Sequence, residues 1–465
     1  MPEKYHITTK KMPPRLQKIG KFGVVDWRED CARCHNCVKK ACVYDRYRQE
    51  TQYIKDIKDV QTFFFECMGC FSCVQKCTKG LLALSVNPAY EQMGNGYFTP
   101  DIVLTTWNQA ETASDPVSGA GYRGKFSGTG FDAMWTDMSE IVRPTRDGKK
   151  GREYISTAVD IGRKLPMLNF DKGVLTTTLP PLVDIPIPLI IDMLPEKYSF
   201  PVLAPVFQAV AARTGTMVIT RWKNAESSAL YKNLSNLIFY VNKDTPLPPA
   251  EILRKVKMVE IGDGENVTDQ IKAIKAVNPG IVVAVRVELD ANGEQRAIEL
   301  AHLPQTEAIH IVADINGDQT GVEKPRFVKE IMRHIHTSLV KNGIRDEITI
   351  ISGGGIALPE HLAKQILCGA DLVTVEMPLL IALECRLCQT CRDGFACPAN
   401  IEGIDAEYAS GRMTNLIAAW HDQLIEMMGA MGIREVRRLR GETGRALFFE
   451  DLEEDTFGRL FGTRK

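Results

Sequence analysis

The chain has 465 residues, enough for two or three domains, one of which can be a barrel of roughly 250 residues. Its 57 Lys and Arg against 58 Asp and Glu leave a formal net charge of −1, so there is no overall electrostatic case for nucleic acid. The opening Met1-Pro-Glu-Lys-Tyr-His lacks the apolar run of a secretory signal, and no stretch of about 18 apolar residues occurs. A cytoplasmic chain without a membrane span is expected.

Residues 1–30 carry scattered Lys and Arg and read as an extended lead-in. Cys31, Cys34, Cys37 and Cys42 follow, then Cys67, Cys70, Cys73 and Cys77. Two C-x2-C-x2-C triplets, each trailed by a fourth cysteine, match the two-cluster ferredoxin pattern, in which the fourth cysteine serves the other cluster. Cys31, Cys34, Cys37 and Cys77 are therefore assigned to one [4Fe–4S] cluster, and Cys67, Cys70, Cys73 and Cys42 to a second. Zinc sites use paired C-x2-C halves that close at four ligands, so consecutive triplets fit them poorly. Disulfides need an oxidising compartment, which nothing in the chain suggests. Two departures stand. Four residues separate Cys37 from Cys42 where the pattern has three, and Val43 and Thr78 follow the trailing cysteines where the pattern has proline. Lys39, Lys40, Arg46, Arg48 and Lys76 flank these motifs. They form a solvated surface on the plain reading, and a docking face for an acidic electron carrier on the sharper one. Residues 1–85 are expected to form a small α+β two-cluster ferredoxin-like domain.

Residues 86–195 read as an irregular connecting segment. Gly119–Gly130 is too glycine-rich for a regular element and lacks the strand-then-helix setting of a nucleotide-binding loop. Arg143 and Arg146 flank a turn, where an anion clamp and a structural salt bridge are both open readings.

From 199 onward short apolar runs alternate with helical patterns. Strands are expected at 200–205, 216–221, 236–242, 258–262, 281–288, 308–313, 348–353 and 372–377. Helices are expected at 267–278, 293–303, 325–342 and 359–368. Strands apolar on both faces belong to a parallel sheet, and eight βα units make a TIM (β/α)8 barrel, placed at 196–400. The weakest unit is the short crossover near 224–234. Cys368, alone in Ile366-Leu367-Cys368-Gly369, reads as a buried small hydrophobe. Residues 401–465 are expected to be a helical C-terminal tail, with Leu416, Ile417, Trp420, Leu424, Ile425 and Met428 on one apolar face of a helix over 405–430.

Cys385, Cys388, Cys391 and Cys397-Pro398 begin where the loop after the eighth strand belongs. Four thiolates at this spacing can close a third [4Fe–4S] cluster, beside the mouth where this fold binds its ligands.

A ferredoxin-like front, a barrel and a cysteine motif after its last strand together resemble the archaeal-type glutamate synthase large subunit, over roughly residue 30 to the end. Trp135–Gly148 and Arg152–Ser156 are also similar to that group's segment ahead of the barrel. The resemblance implies FMN at the barrel mouth, electrons entering through clusters, and 2-oxoglutarate as acceptor. It also offers a three-iron alternative for the third site, held by Cys385, Cys391 and Cys397. Gly353, Gly354 and Gly355 match the family's glycine turn, whose amides would cradle the flavin phosphate. Arg286 stands where the family has a lysine. Other positions depart. The loop Ala313–Gly321 replaces a G-H-D-G-G-T-G motif, Thr374-Val375-Glu376 replaces a glycine-rich partner loop, and Thr220–Asn224 replaces G-E-G-G. A carboxylate at 376 would repel a phosphate. No cysteine precedes Cys31 to serve as a glutaminase nucleophile, so ammonia would be the nitrogen source. The expectation is an iron–sulfur oxidoreductase subunit that relays electrons toward a flavoprotein or ferredoxin-type partner, with FMN absent or weakly held. The alternative is a working glutamate synthase.

Overall fold

The computed structural model describes residues 5–26, 38–44, 63–64, 67, 69–114, 130–136, 154–222, 234–388, 397–458, 460 and 462. Eight apolar runs form the parallel strands β1 (Leu189–Ile191), β2 (Val218–Arg221), β3 (Leu237–Val241), β4 (Met258–Gly262), β5 (Val282–Glu288), β6 (Ala308–Val312), β7 (Thr349–Gly353) and β8 (Leu372–Val375). β8 pairs with β1, Val373 opposite Leu189, which closes the barrel. Every residue of β4, β6, β7 and β8 is buried, because one face lines the barrel and the other carries helices. The surrounding helices turn single stripes inward. Val267–Val277 buries Val267, Ile271 and Ile274, and Val328–Lys341 buries Val328, Ile331, Met332, Ile335 and Leu339.

Seven of the eight expected strands are in place, and the first is corrected. The 200–205 run is not a strand; Leu203–Thr214 is a helix. Pro205 lies in its first turn, where a missing N–H costs nothing, and Val206, Val210 and Ala211 repeat at helical spacing on its buried side. Gly215, at φ 69°, ends it. The barrel starts instead at Leu189–Ile191, inside the stretch expected to be connecting. Pro188 directly precedes that strand, a position where proline removes no ladder bond. The crossover near 224–234 falls almost wholly outside the described residues, as do residues 119–129, Arg143 and Arg146.

The 86–195 segment contains a regular element. Thr99 caps a helix, Pro100–Thr112, and Pro100 occupies its first turn. This helix lies against the long helix Ala406–Ala430, whose residues 409–420 are all buried. Trp420 is buried and donates to Gln109 Oε1 at 3.2 Å. The buried Arg412 guanidinium donates to the carbonyls of Met12, Trp107 and Ala382, tying the lead-in, this helix pair and the barrel rim together. Phe22–Asp26 pairs antiparallel with both Leu82–Val86 and Phe63–Phe64 in a three-stranded sheet. Short helices Val38–Ala41 and Ser72–Gln75 accompany it. Among the described residues no helix is long and apolar enough to cross a membrane.

Candidate functional site: the cysteine motifs and the barrel mouth

Cys31, Cys34, Cys37 and Cys391 lie outside the described residues. Of the other predicted ligands, Cys70, Cys73, Cys77 and Cys397 are free thiols, and Cys42, Cys67, Cys385 and Cys388 also lie among the described residues. Left-handed residues bend the chain between them. Gly69 (φ 64°) and Phe71 (φ 58°) separate Cys67, Cys70 and Cys73, and Glu384 (φ 69°) and Leu387 (φ 50°) bracket Cys385 and precede Cys388. The Cys73 thiol is pushed up to about 11, first by burial and then by the facing thiols of Cys67 and Cys70. Three sulfurs gathered in this way suit a cationic iron cluster, which favours thiolates. The Leu81 amide donates to Cys77 Sγ at 3.3 Å, the type of hydrogen bond that tunes a cluster sulfur. The donor set therefore fits the iron–sulfur group. Cys368 is fully buried with its sulfur 3.8 Å from Met134 Sδ, the small core hydrophobe its sequence setting indicated.

The third motif sits beside the barrel mouth. The Gly94 amide donates to the Arg386 carbonyl at 2.8 Å, Asn95 donates to Asn316 at 2.9 Å, and the Tyr97 hydroxyl donates to the Gly355 carbonyl. A single short segment thus links Cys385–Cys388 to both mouth loops.

Gly353 is the last residue of β7, and Gly354 and Gly355 form the turn after it. Gly354 (φ 90°) and Gly355 (φ 73°) take up conformations that side chains rarely adopt. The turn packs tightly on protein. A Cβ on Gly354 would stand 2.4 Å from the Asp314 carbonyl oxygen, and one on Gly355 would stand 2.8 Å from Gly317 Cα. The opposing loop closes on itself, with Asp314 Oδ1 accepting the amides of Asn316 at 2.8 Å and Asp318 at 2.9 Å. Gly354→Ala should cost about 1–3 kcal/mol through strain and overpacking, visible as a lower unfolding midpoint. An unchanged midpoint would contradict the close approach of these two loops.

Arg286 is not free to hold an anion. It grips Asp192 with two bonds at 3.1 and 3.2 Å and reaches Glu260 at 3.1 Å, while its guanidinium lies 5.5 Å over the Tyr240 ring. Glu260 in turn meets His310 Nδ1 at 2.9 Å, and His310 Nε2 meets Thr374 Oγ1 at 3.2 Å. Thr374 donates back to Asp192 at 3.3 Å, completing a ring. The members come from the end of β1 and from β4, β5, β6 and β8, which direct these side chains into one interior layer. Burial works against the Arg286 charge, yet Asp192 and Glu260 outweigh it and hold its pKa well above the ordinary value. Burial would raise Asp192, but Arg286 and His310 hold it below the usual carboxylate range. Glu376, at the loop after β8, is buried and pushed up to about 8, first by burial and then by Asp192, against the pull of Arg286. These residues do not fit a flavin phosphate at the expected place. The glycine turn is packed against a loop, the guanidinium is engaged, and the partner loop carries the buried Glu376 side chain in place of the glycines whose amides would face a phosphate.

Asp192, Glu260, His310 and Tyr97 were not among the residues expected from sequence. Glu260 in Met258-Val-Glu-Ile-Gly262 and His310 in Ala308-Ile-His-Ile-Val312 did carry a signal, as single polar residues within strands otherwise apolar. Asp192 was hidden by the misplaced first strand.

The model for the conserved region in glutamate synthase matches residues 248–434. An archaeal-type glutamate synthase [NADPH] of Dehalococcoides mccartyi is 22% identical over 90% of this chain and 93% of its own. An archaeal glutamate synthase [NADPH] of Archaeoglobus fulgidus is 24% identical over 94% of this chain and 96% of its own. Among solved structures, a mandelate oxidase bearing an FMN adduct aligns over 75% of this chain and 91% of that one, with 14% identity and a TM-score of 0.41. The chain is thus similar to proteins named glutamate synthases along nearly its whole length, and to the family's conserved region over residues 248–434.

Proposed function

We propose that this chain is an iron–sulfur oxidoreductase component of the glutamate synthase family. It relays electrons through clusters at its three cysteine motifs toward a flavoprotein or ferredoxin-type partner, and its barrel does not carry out the family's amination. The carrying observation is the ion ring of Asp192, Glu260, Arg286 and His310, with Glu376 beside it, at the position where an anionic cofactor would need free donors. Cys31, Cys34, Cys37 and Cys77 would hold one cluster, Cys67, Cys70, Cys73 and Cys42 the next, and Cys385, Cys388, Cys391 and Cys397 the third. Each cluster, when bound, supplies a one-electron carrier. The chain's part is to supply thiolates, to surround them with amide donors such as that of Leu81, and to bring the third motif against the mouth through Gly94–Tyr97. A second reading has one observation in its favour, the similarity over nine-tenths of the chain to proteins named as glutamate synthases. On that reading FMN binds in an altered pose and 2-oxoglutarate is aminated with ammonia.

The test is an anaerobic purification followed by iron, zinc and flavin analysis. Roughly twelve irons per chain are expected, three cubes of four, without stoichiometric FMN and without glutamate formation from 2-oxoglutarate and ammonia under reducing conditions. Stoichiometric FMN together with glutamate formation would restore the family's reaction to this chain. Zinc in place of iron would remove the relay.

A further inference from the structure

A second group of ligating side chains lies next to the glycine turn. Asp132 comes from the turn Gly130–Ala133, and Glu360 and His361 open the helix Pro359–Leu367 directly after Gly353–Gly355. One ligand atom from each of the three lies within 4.8 Å of the others. His361 is buried, and its Nε2 has no hydrogen-bond partner. Its Nδ1 accepts from the Ala357 amide at 3.2 Å and lies 3.3 Å from the Gly355 carbonyl oxygen, and the ring packs 4.8 Å from that of Phe131. A buried polar nitrogen is costly to leave unpaired. Lys364 accounts for part of the charge here, donating to the Phe131 carbonyl at 2.8 Å and lying 3.7 Å from Glu360. It does nothing for His361 Nε2.

We propose that Asp132, Glu360 and His361 form a binding site for one divalent first-row transition-metal ion. Metal binding selects the tautomer in which Nδ1–H donates to Gly355 in place of accepting from Ala357, which leaves Nε2 with a bare lone pair, and a backbone carbonyl behind the imidazole is the usual support of a metal-ligating histidine. Imidazole with two carboxylates is a borderline donor set, suited to zinc, cobalt or manganese rather than to the thiolate-seeking iron clusters. Ligand atoms about 2.0–2.2 Å from a common ion stand within about 4.4 Å of each other, so this set needs only a small closing movement. Water would complete the coordination. The ion would staple the turn at 130–133, which lies between two stretches of chain outside the described residues, to the helix that follows the glycine turn.

Co2+ is the probe, because its spectrum separates donor types. Titrated into the full chain purified anaerobically with its iron, Co2+ should bind at one site per chain. Weak visible d–d bands are expected, without the intense near-ultraviolet charge transfer of thiolate ligation. His361→Gln and Asp132→Asn should each weaken this binding by at least tenfold with iron content unchanged. Should His361→Gln fail to fold by circular dichroism, the part-exposed Asp132 makes Asp132→Asn the deciding variant. Thiolate bands alone on Co2+ addition, or affinity unmoved in the folded variants, would overturn the site.

Discussion

Arg286→Met should destabilise the barrel by about 3–5 kcal/mol, read as a lower urea midpoint of tryptophan fluorescence. Trp222, buried 5.3 Å from the Phe239 ring just past β2, is a local reporter. The substitution keeps most of the aliphatic volume and removes the one guanidinium that faces Asp192 and Glu260. Both carboxylates are buried, so the loss leaves charge without compensation in a low-dielectric interior. Arg286→Lys should recover only part of the loss, because an ammonium cannot span Asp192 bidentately and reach Glu260 as well. The sign with pH follows from Asp192, whose folded pKa is depressed. Its contribution is present above the unfolded carboxylate value near 4 and is lost as pH falls through the lower folded value. A cost under about 1 kcal/mol would mean that the ring is not a buried, tightly paired network.

Glu376→Gln should stabilise the protein, and only at high pH. The folded pKa, about 8, lies above the ordinary 4.5, so the folded state holds a proton that the unfolded state releases. Stability contributed at this position is therefore full below pH 4.5, falls between 4.5 and 8, and is a constant penalty above 8. At 1.36 kcal/mol per unit the penalty is on the order of 5 kcal/mol. Gln preserves the shape and removes the titration, so the variant should match the parent near pH 4.5 and exceed it at about pH 9. Parallel stability profiles for the two proteins would place Glu376 in a wetter setting than its burial indicates. The same titration bears on the mouth, because a neutral Glu376 at pH 7 leaves Asp192, Glu260 and Glu288 as the carboxylates that face the Arg286 charge.

Periodicity made most of the barrel legible. Near-continuously apolar runs such as Ile281–Val287 and Ala308–Val312, each broken by a single polar residue, cannot satisfy one-sided burial, so they announce a parallel sheet before any contact is known. Amphipathic stripes announced the helices between them within one to three residues. The one misplaced strand had a local cause, since Phe200–Pro205 and Leu189–Ile191 are both short, apolar and flanked by proline. Pairing with β8 and β2 chose between them, and strand pairing is a long-range property.

Cysteine spacing identified the iron–sulfur candidates because ligation depends on local chain geometry, and the Gly353–Gly355 turn was visible because positive φ selects glycine. Arg286 was also visible, but its role was not. Whether a strand arginine meets a ligand phosphate or two carboxylates depends on residues 94 and 26 positions away in the chain, brought to one layer only when the barrel closes. The same holds for Asp132 and His361, whose neighbourhood arises from the packing of a turn more than 200 residues upstream against one helix. By itself the sequence determined the repeating units, the thiolate motifs and the glycine turn, because each rests on interactions between near neighbours. Tertiary structure alone decided which strand opens the barrel and which charges face each other inside it, because burial of charge is settled by every strand that lines the same interior.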